Sequence, residues 1–318
     1  MNIAVTGASG FIGRTLVERL VRSGHEVRAV HRTAPGSEQR LQGADHVVAD
    51  LVDPEACRDI CRDMEEVYHL AAVTGGSGFQ SSERLSGLLN VVPSTQIVRA
   101  ASELGVRRVL FAGSCMLGVD DVFGVRDSGD TRFSPVPSGY MTEKFFSEQL
   151  WHAMDAAGEI ETRVARLNHV YGPGRVAGGS AEGVTAAMCR KALEAMRRGD
   201  HEIEIWGDGT QQRAFTFITD AAEGLERVMR LETPEPVMVS NRETTTINQL
   251  VDLIEEIAGV RFQRRYVSDD GAGVARHDLD HDAAEKALGW EPQVKIAEGI
   301  EKNYAWIRDH GLHASESA

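Results

Sequence analysis

The stretch Val5-Thr6-Gly7-Ala8-Ser9-Gly10-Phe11-Ile12-Gly13 limits what this chain can fold into more than any other part of it. Asn2–Val5 is an apolar run of strand length, and three glycines follow at three-residue intervals. Arg14–Arg22 then carries Leu16, Val17, Leu20 and Val21 on one helical face. A strand, a glycine turn and a helix in this order form a phosphate cradle. Gly7 permits the tight turn, Gly10 lets a pyrophosphate approach the backbone, and Gly13 lets helix and strand pack closely. The unpaired N–H groups of the helix's first turn, here beginning at Phe11 and Ile12, face the anion. The spacing is GxxGxxG rather than the commoner GxGxxG, so it is the flanking strand and helix that make the signal specific.

Further strand-length runs follow at Glu26–Val30, His46–Ala49, Val67–Leu70 and Val109–Ala112, with helical segments between them. Strands alternating with helices predict an α/β fold with a doubly wound parallel sheet. In such a sheet ligands lie along the carboxyl edge of the strands. The second strand ends in His31-Arg32, without the carboxylate that accepts hydrogen bonds from an adenosine ribose in NAD-binding folds. An arginine there can pair with a 2′-phosphate, which favours NADP(H) over NAD(H). Ala71 and Ala72, after the fourth strand, suit a loop that a cofactor passes closely, and Thr74–Phe79 adds three glycines at the same edge.

Charge and cysteine usage narrow the partners. Acidic residues outnumber basic ones 48 to 34, a net charge of -14, which opposes nonspecific binding to nucleic acid or anionic membranes. An anionic ligand must then be held by a few placed arginines and backbone amides. The four cysteines form no disulfide framework or zinc-type pairs, and no metal site is expected. Nothing reads as a leader peptide, and no run approaches the roughly 20 apolar residues of a membrane helix, so a cytoplasmic protein is expected.

Tyr140 and Lys144, at i and i+4, share a helical face. An ammonium beside a phenol favours the phenolate, so a lowered tyrosine pKa is expected. Such a tyrosine can exchange a proton with an alcohol oxygen while hydride moves to or from a nicotinamide. The pair alone is a common coincidence, but its company is not. The glycine turn, Asp50-Leu51, His69-Leu70-Ala71-Ala72, Asn90, Ser114 and Tyr140/Lys144 occur in the order of the extended short-chain dehydrogenases/reductases, the NAD-dependent epimerase/dehydratase family. RLNHVYGP (166–173), WGDGTQQRAFTFITD (206–220) and LGWEP (288–292) extend the resemblance over essentially the whole chain.

The resemblance implies a Rossmann sheet with a smaller C-terminal substrate-binding domain and a nucleotide-diphosphate sugar as substrate. Gly7, Gly10, Phe11, Ile12 and Gly13 would hold the pyrophosphate, with Asp50 and Leu51 flanking the adenine. His31, Arg32, Ala71, Ala72 and Asn90 would complete the cofactor site. Tyr140 would be the acid/base, Lys144 would bind the nicotinamide ribose, and Ser114 would hydrogen-bond the reacting oxygen. Arg213 would grip the substrate diphosphate, with Arg276 a weaker candidate, and Asn168 and His169 would stand near the sugar. His169 replaces the family's asparagine, and Asn168 precedes it by one place.

Within the family the motifs most resemble the GDP-mannose 3,5-epimerase subgroup. Its members also use a cysteine two residues after the active-site serine and a lysine in the loop after YGP. Met116 and Gly183 stand at those places, and neither side chain exchanges a proton with carbon. Cys115 is one residue early, which on an extended segment turns it to the opposite face, so a small buried residue is expected. Cys115-Met116-Leu117-Gly118 also lacks the acidic groups of the family's 4,6-dehydratases and uronate decarboxylases. Hydride transfer at a hexose carbon, most simply C4, remains, with ketoreduction slightly ahead of 4-epimerisation. Gly183–Met188 also resembles the matching segment of deoxysugar 4-ketoreductases. A 3,5-epimerase with substituted residues and a non-catalytic NADP(H) sensor are the alternatives.

The expected division is residues 1–170 for the cofactor domain, rejoined by 214–240, and 171–318 for the sugar-binding part. A homodimer is expected through the helices around Leu88–Leu104 and Tyr140–Ala157.

Overall fold

Hydrophobic strands that must be covered on both faces dictate the central layer. In the computed structural model, which describes residues 1–36, 40–74, 89–115, 139–175, 178, 182–268 and 281–311, seven parallel strands form one sheet. They are β1 (Asn2–Thr6), β2 (Glu26–His31), β3 (Ala44–Val48), β4 (Glu66–His69), β5 (Arg108–Ser114), β6 (Glu161–Leu167) and β10 (Val237–Val239). Their order is β10-β6-β5-β4-β1-β2-β3, so the direction of winding reverses between β1 and β4. That reversal opens the crevice in which doubly wound sheets bind ligands.

Each face of the sheet is sealed by its own apolar cluster. Leu16, Val17 and Leu20 of the first helix (Phe11–Arg22) pack with Leu225 and Met229 of the helix Ile218–Met229 on one side. Ile97, Ala101 and Trp151, from the helices Val91–Glu103 and Gly139–Ala156, cover the other with Val109 and Phe111. Cys57 and Cys61 are both buried there in the helix Pro54–Cys61.

A third cluster gathers β7 (His169–Tyr171), β8 (Glu202–Trp206) and β9 (Gln212–Phe217) with the helices Val184–Arg198, Ile247–Ala258 and Ile296–Trp306. Two small sheets belong to it. β9 lies between β7 and β11 (Thr244–Thr246), and β8 pairs with β12 (Gln263–Val267). The chain crosses between the two regions more than once. β9 pairs with β7 and not with the large sheet, while β10 becomes that sheet's edge strand beside β6. Ala284 and Leu288 of the helix His281–Leu288 pack with the first helix's cluster, although they follow the third cluster's strands in sequence.

Candidate active site

The glycine turn is closed by its own backbone. Gly7 sits at φ 72°, and a Cβ there would come within 2.8 Å of Ala71 N. A Cβ on Gly13 would lie 2.2 Å from Gly7 O, so only glycine lets the helix start this close to β1. The first helix begins without a side-chain cap and without an acidic residue in its first turn. Its leading N–H groups, at Phe11, Ile12 and Gly13, are therefore left to an anion, and the helix dipole favours one. These features fit the pyrophosphate of a dinucleotide.

Thr6 and His69 hold this turn against the loop after β4. Thr6 Oγ1 accepts from Leu70 N and Ala71 N, each at 3.2 Å, and lies 2.9 Å from His69 Nδ1. With two N–H groups already donated to it, the threonine hydroxyl gives its own hydrogen to Nδ1. His69 Nε2, 3.2 Å from Ser94 Oγ, then carries the ring's proton. Burial, reinforced by the nearby Lys144 ammonium, pushes His69 down to about 3, so it is neutral at physiological pH.

At the other end of the crevice, β5 delivers Ser114, 6% exposed, and the helix Gly139–Ala156 delivers Tyr140 and Lys144. The Tyr140 hydroxyl is hydrogen-bonded to Ser114. Lys144 Nζ donates to Ala112 O at 3.0 Å, and lies 4.6 Å above the Phe111 ring centroid and 5.8 Å from that of Tyr140. The expected lowering of the tyrosine pKa is corrected by the structure. Burial pushes Tyr140 up to about 12, outweighing the Ser114 hydrogen bond, and Glu143 acts in the same upward direction. Desolvation also lowers Lys144, while Glu143, whose Oε2 is 3.7 Å from Nζ, holds it up. Glu143 is itself fully buried and raised by burial, with Lys144, Ser147 and Asn90 countering.

Other residues singled out in the sequence prove to be engaged inside the protein. Asn90 Oδ1 accepts from Val73 N at 2.7 Å and Nδ2 donates to Val73 O at 3.1 Å, which pins the loop after Ala71 and Ala72. Asn168 accepts from His169 N at 2.8 Å and from the Cys115 thiol at 3.4 Å, and donates to Ser240 Oγ at 2.9 Å. Its amide thus ties together the ends of β5, β6 and β10. Cys115 is 4% exposed, and burial raises its thiol to about 12, as suits an inert core group. The Arg213 charge opposes that rise. His169 lies beside Phe215, ring centroids 6.0 Å apart.

At the adenosine end, His31 is only 2% exposed, while Arg32 and Asp50 are exposed. Leu51 packs into the core beside Cys57. Arg276, Met116, Leu117, Gly118 and residues 75–81 lie outside the described residues.

Arg175, which the sequence reading passed over, lies against the start of the first helix. Its Nη1 donates to Val170 O at 2.9 Å and its guanidinium lies 5.7 Å from the Phe11 ring centroid. Its Cζ would be 3.0 Å from a Cβ on Gly183, so arginine fills the space above that glycine. An arginine in a glycine-rich turn directly after YGP is the sequence signal that could have found it.

The sequence profile of the NAD dependent epimerase/dehydratase family matches residues 3–239. The chain belongs to that family. GDP-mannose 3,5-epimerase 1 of Oryza sativa subsp. indica is 30% identical over 97% of this chain and 82% of the relative. The UDP-glucose 4-epimerase of Thermotoga maritima, solved with UDP-glucose, superposes with a TM-score of 0.83 at 26% identity, covering 97% of this chain and 99% of that one. The protein MoeE5, solved with UDP-glucuronic acid and NAD, gives 0.78 at 28% identity over 97% and 99% of the two chains. The matched span runs from β1 to the end of β10.

Proposed function

We propose that this protein carries out hydride transfer at C4 of a nucleotide-diphosphate sugar, as a ketoreductase ahead of a 4-epimerase, with NADP(H) preferred over NAD(H). The carrying observation is the Tyr140–Ser114 hydrogen bond, with buried Lys144 one helical turn away, at the same sheet edge as the glycine turn. A bound nicotinamide supplies or accepts the hydride. Ser114 and Tyr140 orient the substrate oxygen, and Tyr140 gives it a proton as the carbonyl becomes an alcohol. A phenol raised to about 12 is protonated at neutral pH, which suits the reductive direction. Lys144 would hold the nicotinamide ribose, Arg213 would meet the substrate diphosphate, and Gly7–Gly13 the cofactor pyrophosphate. Arg32, exposed at the end of β2, supports the NADP(H) preference.

The similarity to GDP-mannose 3,5-epimerase keeps that chemistry as the second reading. Against it stands Gly183, whose neighbouring space is taken by Arg175. A homodimer is supported by Val92, Phe145 and Phe146, all more than 40% exposed on the two helices expected to pair. Among the described residues no helix is long and apolar enough to cross a membrane, and all four cysteines are free, in keeping with the cytoplasmic placement we favour.

Tyr140→Phe keeps the ring and removes the transferable proton. Turnover of a nucleotide-4-keto-sugar, followed as loss of NADPH absorbance, should fall by roughly 10²–10⁴-fold with cofactor affinity retained. Near wild-type turnover would rule the mechanism out, and a partner-binding activity indifferent to the substitution would mark a sensor instead.

A further inference from the structure

A chain of hydrogen bonds leads inward from the glycine turn and takes no part in the chemistry above. The exposed Ser9 hydroxyl meets His31 Nδ1 at 2.5 Å, and His31 Nε2 meets His46 Nδ1 at 2.8 Å. His46 Nε2 lies 3.1 Å from Leu41 N and 3.0 Å from Leu41 O. The two imidazoles are stacked, centroids 5.0 Å apart and planes 18° from parallel. The chain therefore joins the phosphate turn to the end of β2, where adenosine ribose is read in this fold.

Counting donors and acceptors shows what the chain can do. With both rings neutral it runs in either sense. Ser9 can donate inward, ending with His46 Nε2–H on Leu41 O. Alternatively Leu41 N–H can donate to His46, and His31 Nδ1–H to Ser9. An anion that takes the Ser9 hydroxyl hydrogen removes this choice. Ser9 must then accept from His31 Nδ1–H, and His31 Nε2 must accept from His46 Nδ1–H. In that sense a further proton on His46 Nε2 merely exchanges its Leu41 N–H partner for Leu41 O. One added proton thus keeps every ring nitrogen and the serine hydroxyl paired, at the cost of the Leu41 N–H, whereas two would set donor against donor between the rings. His46 is the less buried of the two rings. Desolvation, His46 and Arg40 all push His31 below its ordinary value.

We propose that Ser9, His31 and His46 form a proton-linked reader of the adenosine 2′-phosphate. The phosphate accepts from Ser9, fixes the sense of the chain and draws one proton onto the imidazole pair. This rests on the NADP(H) reading, and it separates the roles of the two residues paired in the sequence. Arg32 supplies fixed charge, while the imidazole pair behind Ser9 supplies a conditional one.

The test is titration calorimetry of NADPH and NADH in buffers of different ionisation enthalpy, between pH 7 and 8.5. NADPH binding should take up about half a proton, so its affinity should be about fivefold higher at pH 7 than at pH 8.5, while NADH binding takes up none. In His46→Gln the uptake should disappear, with tighter binding of NADPH at pH 8.5 retained. Imidazole nitrogen NMR of the wild-type protein with adenosine 2′-monophosphate, read against adenosine, gives the same answer without a substitution. If NADPH binds no tighter than NADH at any pH, the cofactor reading fails and takes the reader with it. If NADPH is preferred but its uptake is nil, or survives in His46→Gln, the preference stands and the proton-linked reader is wrong.

Discussion

His69 makes the seam beneath the glycine turn sensitive to acid, and the size of the effect follows from its contacts. Its Nδ1 receives the hydrogen of Thr6, which is itself held in place by Leu70 N and Ala71 N, and its Nε2 faces Ser94. A second proton would have to sit on Nδ1 against that hydroxyl, inside a stack with Trp151 at 5.8 Å and Phe111 at 6.3 Å and near Lys144. The folded-state value is therefore depressed, from 6.5 to about 3. A depressed value means that the unfolded chain binds the proton first. The contribution is complete above pH 6.5 and is lost as pH falls from 6.5 toward about 3. Between pH 6.5 and 5.0 the loss is about 2 kcal/mol, at roughly 1.4 kcal/mol per unit. Denaturant unfolding of wild type and His69→Asn, measured at half-unit steps over that range, isolates it. Asparagine keeps an acceptor for Thr6 but does not titrate, so the slopes should differ by about 2 kcal/mol over the range, whatever the absolute stabilities. Parallel slopes, within about 0.5 kcal/mol, would mean that His69 is protonated in the folded protein and that the hydrogen-bond assignment is wrong.

Gly13→Ala places a methyl group 2.2 Å from Gly7 O, so it should destabilise the fold by about 1–3 kcal/mol and abolish dinucleotide binding; Gly10→Ala, at 3.1 Å from the same atom, should be milder on both readouts by thermal shift and calorimetry. Glu143→Gln removes the nearest counter-charge of Lys144, and the alkaline limb of the pH–turnover profile should move about one unit toward neutrality. The same variant should lose about 3–5 kcal/mol of stability, read by denaturant unfolding. Incubation with GDP-mannose in heavy water should leave C3 and C5 unlabelled by mass spectrometry, because Met116 and Gly183 offer no carbon acid/base; deuterium at either carbon would restore the 3,5-epimerase reading.

The parallel sheet was legible because its cause is local: each strand is a short apolar run, and each crossover has the length of a helix. The glycine turn was legible because backbone clearance leaves no alternative residue. The position of β9 was not, since Phe215–Phe217 is equally apolar whether it joins the large sheet or pairs with β7. The direction of the Tyr140 shift was missed for a different reason. Spacing shows that Lys144 is near, but not that both groups are buried or that Ala112 O and Glu143 hold the ammonium. Two of the partners of Asn168, Cys115 and Ser240, come from segments that only the folded sheet brings together, so its tie across the strand ends is not legible in the sequence. Ser9, His31 and His46 are 22 and 15 residues apart in succession, and no periodicity connects them.

Arg175 and Gly183 also constrain one another. A side chain at 183 would begin 3.0 Å from the guanidinium carbon, so the arginine would have to give way to it. Gly183→Lys alone would bring two cations together beside Glu182, so a lysine at 183 calls for a change at 175 as well. The order of substitutions, and not only their identity, decides which chemistries remain within reach of this scaffold.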